Sequence, residues 1–348
     1  MTLSFFLLLT AFLLLFQLGL LLFLVIRKQK RQRYEEEVEK QYVHLTEPFS
    51  SYIIDPSDMR FPYALKSINH QQVVLERLLN GYVAFTKGGS ASPAVKQLSE
   101  DFLTKPYTLI LGQRNWARRL NTLHYIEDFH MQSLSALLLE RLKHSAKLDI
   151  ETQQLVRTLA SLNETTVINE LTRFSNVSVR LLVDVLNRLE KNSANEQIQA
   201  ALEGPDEKLK HAALAYIAYA GSIAFLPQVE KELASTQTET RIQALKTIFR
   251  LEYMSDPDLL APFFESSSWT ERMFAARIAG IMQFSRYKKT LSTLLGDSVW
   301  WVRYSAAEAY THFSDGDLIL AHLSENHPDR YGRDMAAQWQ TFRPGGAR

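Results

Sequence analysis

Six basic residues recur down the second half of this chain at nearly constant distance: Arg180, Lys210, Arg241, Arg272, Arg303 and Arg333, spaced by 30, 31, 31, 31 and 30 positions. Three places after each stands a small apolar residue: Val183, Ala213, Ala244, Ala275, Ala306 and Ala336. One place further come Leu214, Leu245, Ala276, Ala307 and Ala337, and only Asp184 breaks this second column. A period of about 31 accommodates one helical hairpin. A lone hairpin cannot bury its apolar face, so such units must stack, and alanines at the contact let successive first helices approach closely. From Gln113 onward the apolar residues follow helical spacing in runs of about 10 to 16, broken by short Asn, Ser, Asp and Gly junctions without strand-like alternation.

Composition points the same way. Glycine at 13 and proline at 11 together make 24 of 348 residues, well below the roughly 12% of average chains, which disfavours sandwiches and barrels built on many tight turns. With no cysteine, disulfide frameworks, thiol catalysis and cysteine-ligated zinc or iron–sulfur sites are excluded.

The units resemble the HEAT-repeat family, in the manner of a membrane-anchored bacterial-type repeat protein. The likeness is plainest in Leu294–Tyr310, LLGDSVWWVRYSAAEAY, where Asp297, Val302 with Arg303, and Ala306 with Ala307 fill the family's Asp, Val-Arg and Ala-Ala positions. Weaker copies lie at Trp269–Ala279, Thr240–Ile248, Lys208–Ile217 and Val179–Leu186, and more diverged ones at Trp116–Leu123 and Asp149–Ala160. The resemblance covers roughly 113–342, about two thirds of the chain, and implies an all-α, HEAT-like α-solenoid of stacked hairpins rather than any one activity. In the family an Asp six places before the Arg recurs and builds a ladder with it. Here only Asp297 matches, and Phe174, Gly204, Ser235, Ser266 and His327 hold the other places, so repeat packing is predicted without a continuous Asp–Arg ladder.

The other end of the chain is of a different kind. Met1 to Ile26 carries no charge, and at about 1.5 Å per residue it reaches roughly 39 Å as a helix, enough to cross a hydrocarbon layer of about 30 Å. A secretory signal peptide would need a basic start, a shorter apolar run and a small-residue cleavage site, so a spanning helix is the better reading. Arg27, Lys28, Lys30, Arg31 and Arg33 follow at once. The positive-inside rule then puts the N-terminus outside and the body in the cytoplasm, with these five residues available to anionic lipid headgroups. The 39 Lys and Arg less these five leave 34 against 38 Asp and Glu, or −4 for the rest. That balance speaks against a nucleic-acid partner.

The chain is therefore divided into a transmembrane helix (1–26), a basic cluster with helical stalk (27–47), a connector (48–68), an N-terminal helical subdomain (69–112), the repeats (113–342) and a tail (343–348). The stalk rests on Tyr34, Val38, Tyr42 and Leu45, ended by Thr46 to Pro48, and the connector on Pro48, Pro56 and Pro62. In the subdomain Asn69 caps a helix ending before Gly88 and Gly89, and a second helix is expected over Ala94–Thr104.

Chemistry-bearing motifs are scarce. His124, Glu127, Asp128 and His130 cluster, but without HExxH spacing they read as a polar patch rather than metal ligands. Asp315-Gly316-Asp317 lacks the remaining ligands of a calcium loop and reads as a helix cap. No phosphate loop, dinucleotide fingerprint or nucleophile elbow occurs. No catalytic, cofactor or metal residue is assigned, and the chain is not expected to be an enzyme. Trp269 and Trp300 stand three places before their arginines and are expected in the core. Trp301 stands in a column otherwise filled by Ser178, Lys208, Glu239 and Thr270, and Tyr331 follows it in the next unit. Two aromatics in a polar column form a candidate partner-binding patch. The second helices alternate in charge, acidic over Asp256–Glu265 and Asp315–Glu325 and basic over Arg286–Gly296, which suits a protein partner. The expectation is a membrane-anchored scaffold or adaptor, for instance an accessory subunit of a membrane enzyme such as a polysaccharide-synthesising glycosyltransferase. An enzyme on a HEAT-like scaffold and an extracytoplasmic binding module are the alternatives.

Overall fold

The computed structural model describes residues 2–86 and 92–341; Gly88, Gly89, Phe342 and the tail 343–348 lie outside the described residues. Among the described residues there are helices and turns but no strand. The chain forms two compact units, residues 1–167 and 168–348.

In the first unit, α1 runs unbroken from Thr2 to Ile54, and its apolar portion is long enough to cross a membrane. Its far portion is core: Val38, Leu45, Phe49 and Tyr52 are buried against α2 (Arg60–Lys66), α3 (Gln71–Phe85) and α4 (Pro93–Leu111). The Phe49 ring sits 5.3 Å from Phe61 and 6.4 Å from Tyr82. This corrects the expectation of a stalk ending at Thr46–Pro48 with a separate connector over 48–68: the helix runs on to Ile54 and α2 follows. Pro48 inside α1 costs about 3 kcal/mol through one missing backbone bond and a steric clash. Burying Phe49, the next residue, and Tyr52, one turn further on, returns roughly 1.5–3 kcal/mol for each ring, so the helix continues. Pro62 falls in the first turn of α2, where a missing N–H matters little. Ser92 caps α4, accepting the Val95 N–H at 3.3 Å, and α4 runs seven residues past the expected Thr104. α5 (Trp116–Phe129) and α7 (Ile150–Ser161) begin at Asn115 and Asp149, whose side chains accept the N–H groups of Arg118 and Thr152. α6 (Ser135–Lys143) lies between them in sequence, and α8 (Val167–Thr172) bridges the unit boundary.

The second unit continues with α9 (Val179–Arg188), α10 (Lys191–Glu203), α11 (Glu207–Ala220), α12 (Leu226–Lys231), α13 (Thr238–Leu251) and a 3-10 segment, Pro257–Glu265. It closes with α14 (Trp269–Ile281), α15 (Lys288–Leu294), α16 (Trp300–Tyr310), α17 (Gly316–Asn326) and α18 (Arg330–Thr341). The helices carrying the basic column, α9, α11, α13, α14, α16 and α18, pack each on the next. Ala213, Ala244, Ala275, Ala306 and Ala336 are all buried at these contacts, as are Leu214, Leu245, Ala276 and Ala307. Val183 is only half-buried, because α9 turns Leu182 and Val185 inward instead. α14 and α16 approach closely, and a Cβ on Gly280 would fall 2.5 Å from the Ala309 Cα.

Candidate functional site

The basic column does two things in the second unit. Arg241, Arg272, Arg303 and Arg333 each donate from Nη1 to the backbone carbonyl six places back, on Ser235, Ser266, Asp297 and His327, at 2.9, 2.7, 2.7 and 2.6 Å. A second acceptor, five places back, lies at 3.1 to 3.3 Å. Because the acceptor is a carbonyl, the side chain at the sixth place is free to vary. All four of those side chains take the same second job, accepting the N–H two residues on: Ser235 from Gln237, Ser266 from Ser268, Asp297 from Val299 and His327 from Asp329. Arg119 makes the same carbonyl bond, to Gln113 at 2.6 Å, in the first unit. Lys210 has an ammonium instead of a fork and pairs with Glu232 at 3.3 Å, while Arg180 is exposed.

The outer edge of the guanidinium is closed by an acid from the following unit. Arg272 meets Asp297 through Nε and Nη2 at 2.7 and 3.0 Å. Arg241 meets Glu271 at 2.7 Å, whose other oxygen takes the Ser266 hydroxyl. In the first unit Glu151 is shared by Arg119 and Arg141. An ion-pair ladder thus exists, but its carboxylates come from different register positions rather than one Asp column. Burial pushes the Asp297 carboxyl up, and its hydrogen bonds from Arg272 and the Val299 N–H, with the charges of Arg272 and Arg303, outweigh that and hold it below the ordinary carboxylate range.

The series stops at Arg303. The place of Asp297 is taken in the last unit by His327, which is buried and directs Nε2 to the Ser292 carbonyl at 2.9 Å. Arg303 instead lies over the Tyr331 ring, 5.2 Å from its centroid. Its Nε is buried without a hydrogen-bond partner among the described residues, and Nη2 reaches solvent.

Around this end of α16 is an aromatic group. Trp300 packs on Trp301 at 4.7 Å and on Tyr304 at 5.0 Å, and Tyr304 rests on buried Trp339 at 5.0 Å. Trp300 and Trp301 remain 41% and 54% exposed, and Tyr331 63%. The two residues picked from sequence, Trp301 and Tyr331, make no ring contact with each other among the described residues. The helical angle of about 100° per residue sets Trp300 between Trp301 and Arg303, and Arg303 carries Tyr331. Core positions for Trp300 and Trp269 are corrected: each is about two-fifths exposed, since the place three before the arginine is the first turn of its helix, at the unit's rim. Tyr304 and Trp339 complete the group, and the i, i+4 spacing of Trp300 and Tyr304 is the signal in the sequence for it.

The other candidates are placed as follows. Arg27, Lys28, Lys30, Arg31 and Arg33 are all exposed on α1, with Arg31 paired to Glu35 at 2.7 Å. His124 and Asp128 are exposed on α5, His130 ends α5 in the left-handed region, and Glu127 accepts from Gln154 at 2.7 Å. Among the described residues no group of three or more acidic or histidine side chains is placed to hold a metal. Asp315 precedes α17 without capping it through its side chain; its carboxylate binds Lys288 at 2.5 and 2.6 Å, correcting the cap assignment.

No family model matches the chain, and no curated protein does. Solved structures of similar course include YibA of Escherichia coli, 15% identical over 74% of this chain and 99% of that one, with a TM-score of 0.44. An engineered protein is 14% identical over 79% of this chain and 86% of its own, with a TM-score of 0.39. The complex of CpcE and CpcF of phycocyanin lyase from Nostoc sp. is 14% identical over 68% and 92%, with a TM-score of 0.27. The helical-repeat architecture stated above rests on the register of the chain's own units.

Proposed function

We propose that this chain is a single-pass membrane protein, N-terminus outside and body in the cytoplasm, whose HEAT-like repeats act as a non-catalytic scaffold for a membrane-associated protein partner. The observation that carries the reading is the continuity of α1. One helix serves both as the apolar segment and, through Val38, Leu45, Phe49 and Tyr52, as part of the first unit's core. A cleaved leader has no reason to be built into the core by its own continuation. The charge step between Ile26 and Arg27 sets the orientation, and the exposed basic residues there meet anionic headgroups, each contributing about 1 kcal/mol near the surface. The exposed rings of Trp300, Trp301 and Tyr331 suit a protein contact, since aromatic anchors dominate such interfaces. Chemistry then belongs to the partner, of which a polysaccharide-synthesising membrane glycosyltransferase is one form.

The test uses the absence of native cysteine. Single cysteines at Ser193 and Tyr219 are treated with an impermeant maleimide in intact cells and after permeabilisation. Labelling only after permeabilisation is the expected result. Labelling of intact cells puts the body outside and replaces the scaffold with the extracytoplasmic module.

A further inference from the structure

Three arginines of the register, Arg119, Arg241 and Arg272, have both edges satisfied, one by junction carbonyls and the other by a carboxylate from the following unit. Arg303 keeps the carbonyl edge and lacks the carboxylate. The ring of His327 stands where the acid would be, with both nitrogens engaged, Nδ1 by the Asp329 N–H at 3.1 Å and Nε2 by the Ser292 carbonyl at 2.9 Å. Gly332 packs against the ring so closely that a Cβ there would overlap it.

Tyr331 lies under the guanidinium, and Arg330 and Arg333 share the first turn of α18 with it. The nearby acids are held: Asp329 accepts the Gly332 N–H at 3.0 Å, Asp334 lies 3.9 Å from Arg330, and Asp297 is gripped by Arg272. A guanidinium fixed on one side by backbone carbonyls and backed by an aromatic face is already oriented for a carboxylate. We infer that Nη2 of Arg303, which is neither hydrogen-bonded nor buried among the described residues, with the Tyr331 ring against the same guanidinium, receives an Asp or Glu side chain from an acidic, aromatic- or aliphatic-containing segment of a protein partner, supplying from outside the carboxylate that His327 does not provide. This rests on the reading of the aromatic surface as a docking site.

The experiment replaces Tyr331 with a benzophenone side chain, which keeps a ring under Arg303, in the full-length membrane-embedded chain. Cells are irradiated and the crosslinked peptide is sequenced by mass spectrometry. The expected product carries Asp or Glu within about three residues of the crosslink. Changing those acids to Asn or Gln on the partner, which leaves this chain intact, should lower the crosslink yield by about tenfold, as should Arg303→Gln here. A crosslink into a basic or uncharged segment, or a yield unmoved by neutralising the partner's acids, overturns the inference while leaving the docking surface in place. If no protein crosslinks from Tyr331 while benzophenones at Leu259 or Leu318 do capture one, both the inference and the docking reading fall.

Discussion

Asp297 and His327 hold the same place in successive units, and each accepts the backbone N–H two residues on, from Val299 at 2.8 Å and from Asp329 at 3.1 Å. Only Asp297 also grips the arginine of the preceding unit. The place therefore has two separable duties, and a histidine can meet the local one without the one that crosses between units. The rungs at Arg241 and Arg272 are closed within the fold, whereas Arg303 has no carboxylate partner among the described residues.

The closed rungs should stabilise measurably. Asp297 is nearly buried beside Arg272, and removing one member of such a pair strands the other, at about 3–5 kcal/mol. Arg272→Ala should cost that much, read as lost hydrogen-exchange protection in α14 and α16. Arg180→Ala, at the exposed first member of the column, should stay within about 0.5 kcal/mol. Equal effects from the two would mean that the column is decorative.

The same pair sets an acid limit. The folded Asp297 carboxyl lies below the ordinary range, so its contribution is present above the unfolded value of about 3.9 and is lost as pH falls through the folded one. Urea unfolding followed by tryptophan fluorescence should show wild-type stability falling in that acid window. Asp297→Asn should start lower at neutral pH and lose less over the same range. A parallel loss in the two proteins would assign acid sensitivity to other carboxylates, of which Glu151, held down chiefly by its hydrogen bond from Arg119, is the first to try.

Much of this was visible in the residues alone, and the limits have physical causes. The 31-residue column marks α13, α14, α16 and α18 because both its members, a carbonyl-seeking arginine and a buried alanine, are set by backbone packing that repeats; α11 keeps the buried alanine and has Lys210 in the arginine's place. The carboxylate partners were hidden, since Glu271 and Asp297 reach their arginines from different offsets and only three-dimensional placement unites them. At Pro48 a local helix breaker is outweighed by burial of Phe49 and Tyr52 against rings as far along the chain as Tyr82. Trp300 was assigned to the core because the register fixes how far along its helix a residue lies, but not how much of a large ring the neighbouring unit covers.

Close packing at the α14–α16 contact gives a third test. With the Ala309 Cα only 2.5 Å from a Cβ on Gly280, Gly280→Ala raises helix propensity by about 1 kcal/mol and yet must push the two helices apart. Overpacking of this kind costs roughly 1–3 kcal/mol, so the net effect should be destabilising. Ala306→Leu, at a fully buried column position, should act in the same direction and more strongly. Unchanged or raised protection in α14 and α16 on Gly280→Ala would show that the contact yields without strain.

The last test separates rings that hold the fold from rings that face outward. Trp339 is buried under Tyr304, 5.0 Å away, and its truncation to Ala should cost about 3–5 kcal/mol and expose α18 to exchange. Trp301 and Tyr331 are more than half exposed. Replacing both with Ser removes little buried area and leaves the Nη1 bonds of Arg303 to Asp297 and Ser298 in place. Protection in α16 and α18 should then change by less than about 1 kcal/mol. Partner capture in mild detergent should weaken by more than about 1 kcal/mol, the scale of an aromatic anchor at an interface. Adding Trp300→Ser should deepen the binding loss, because that ring lies around α16 between Trp301 and Arg303, which packs on Tyr331. If the double change unfolds α18 as Trp339→Ala does, the outer rings are structural, and the docking surface must be sought on the alternating charges of α15 and α17.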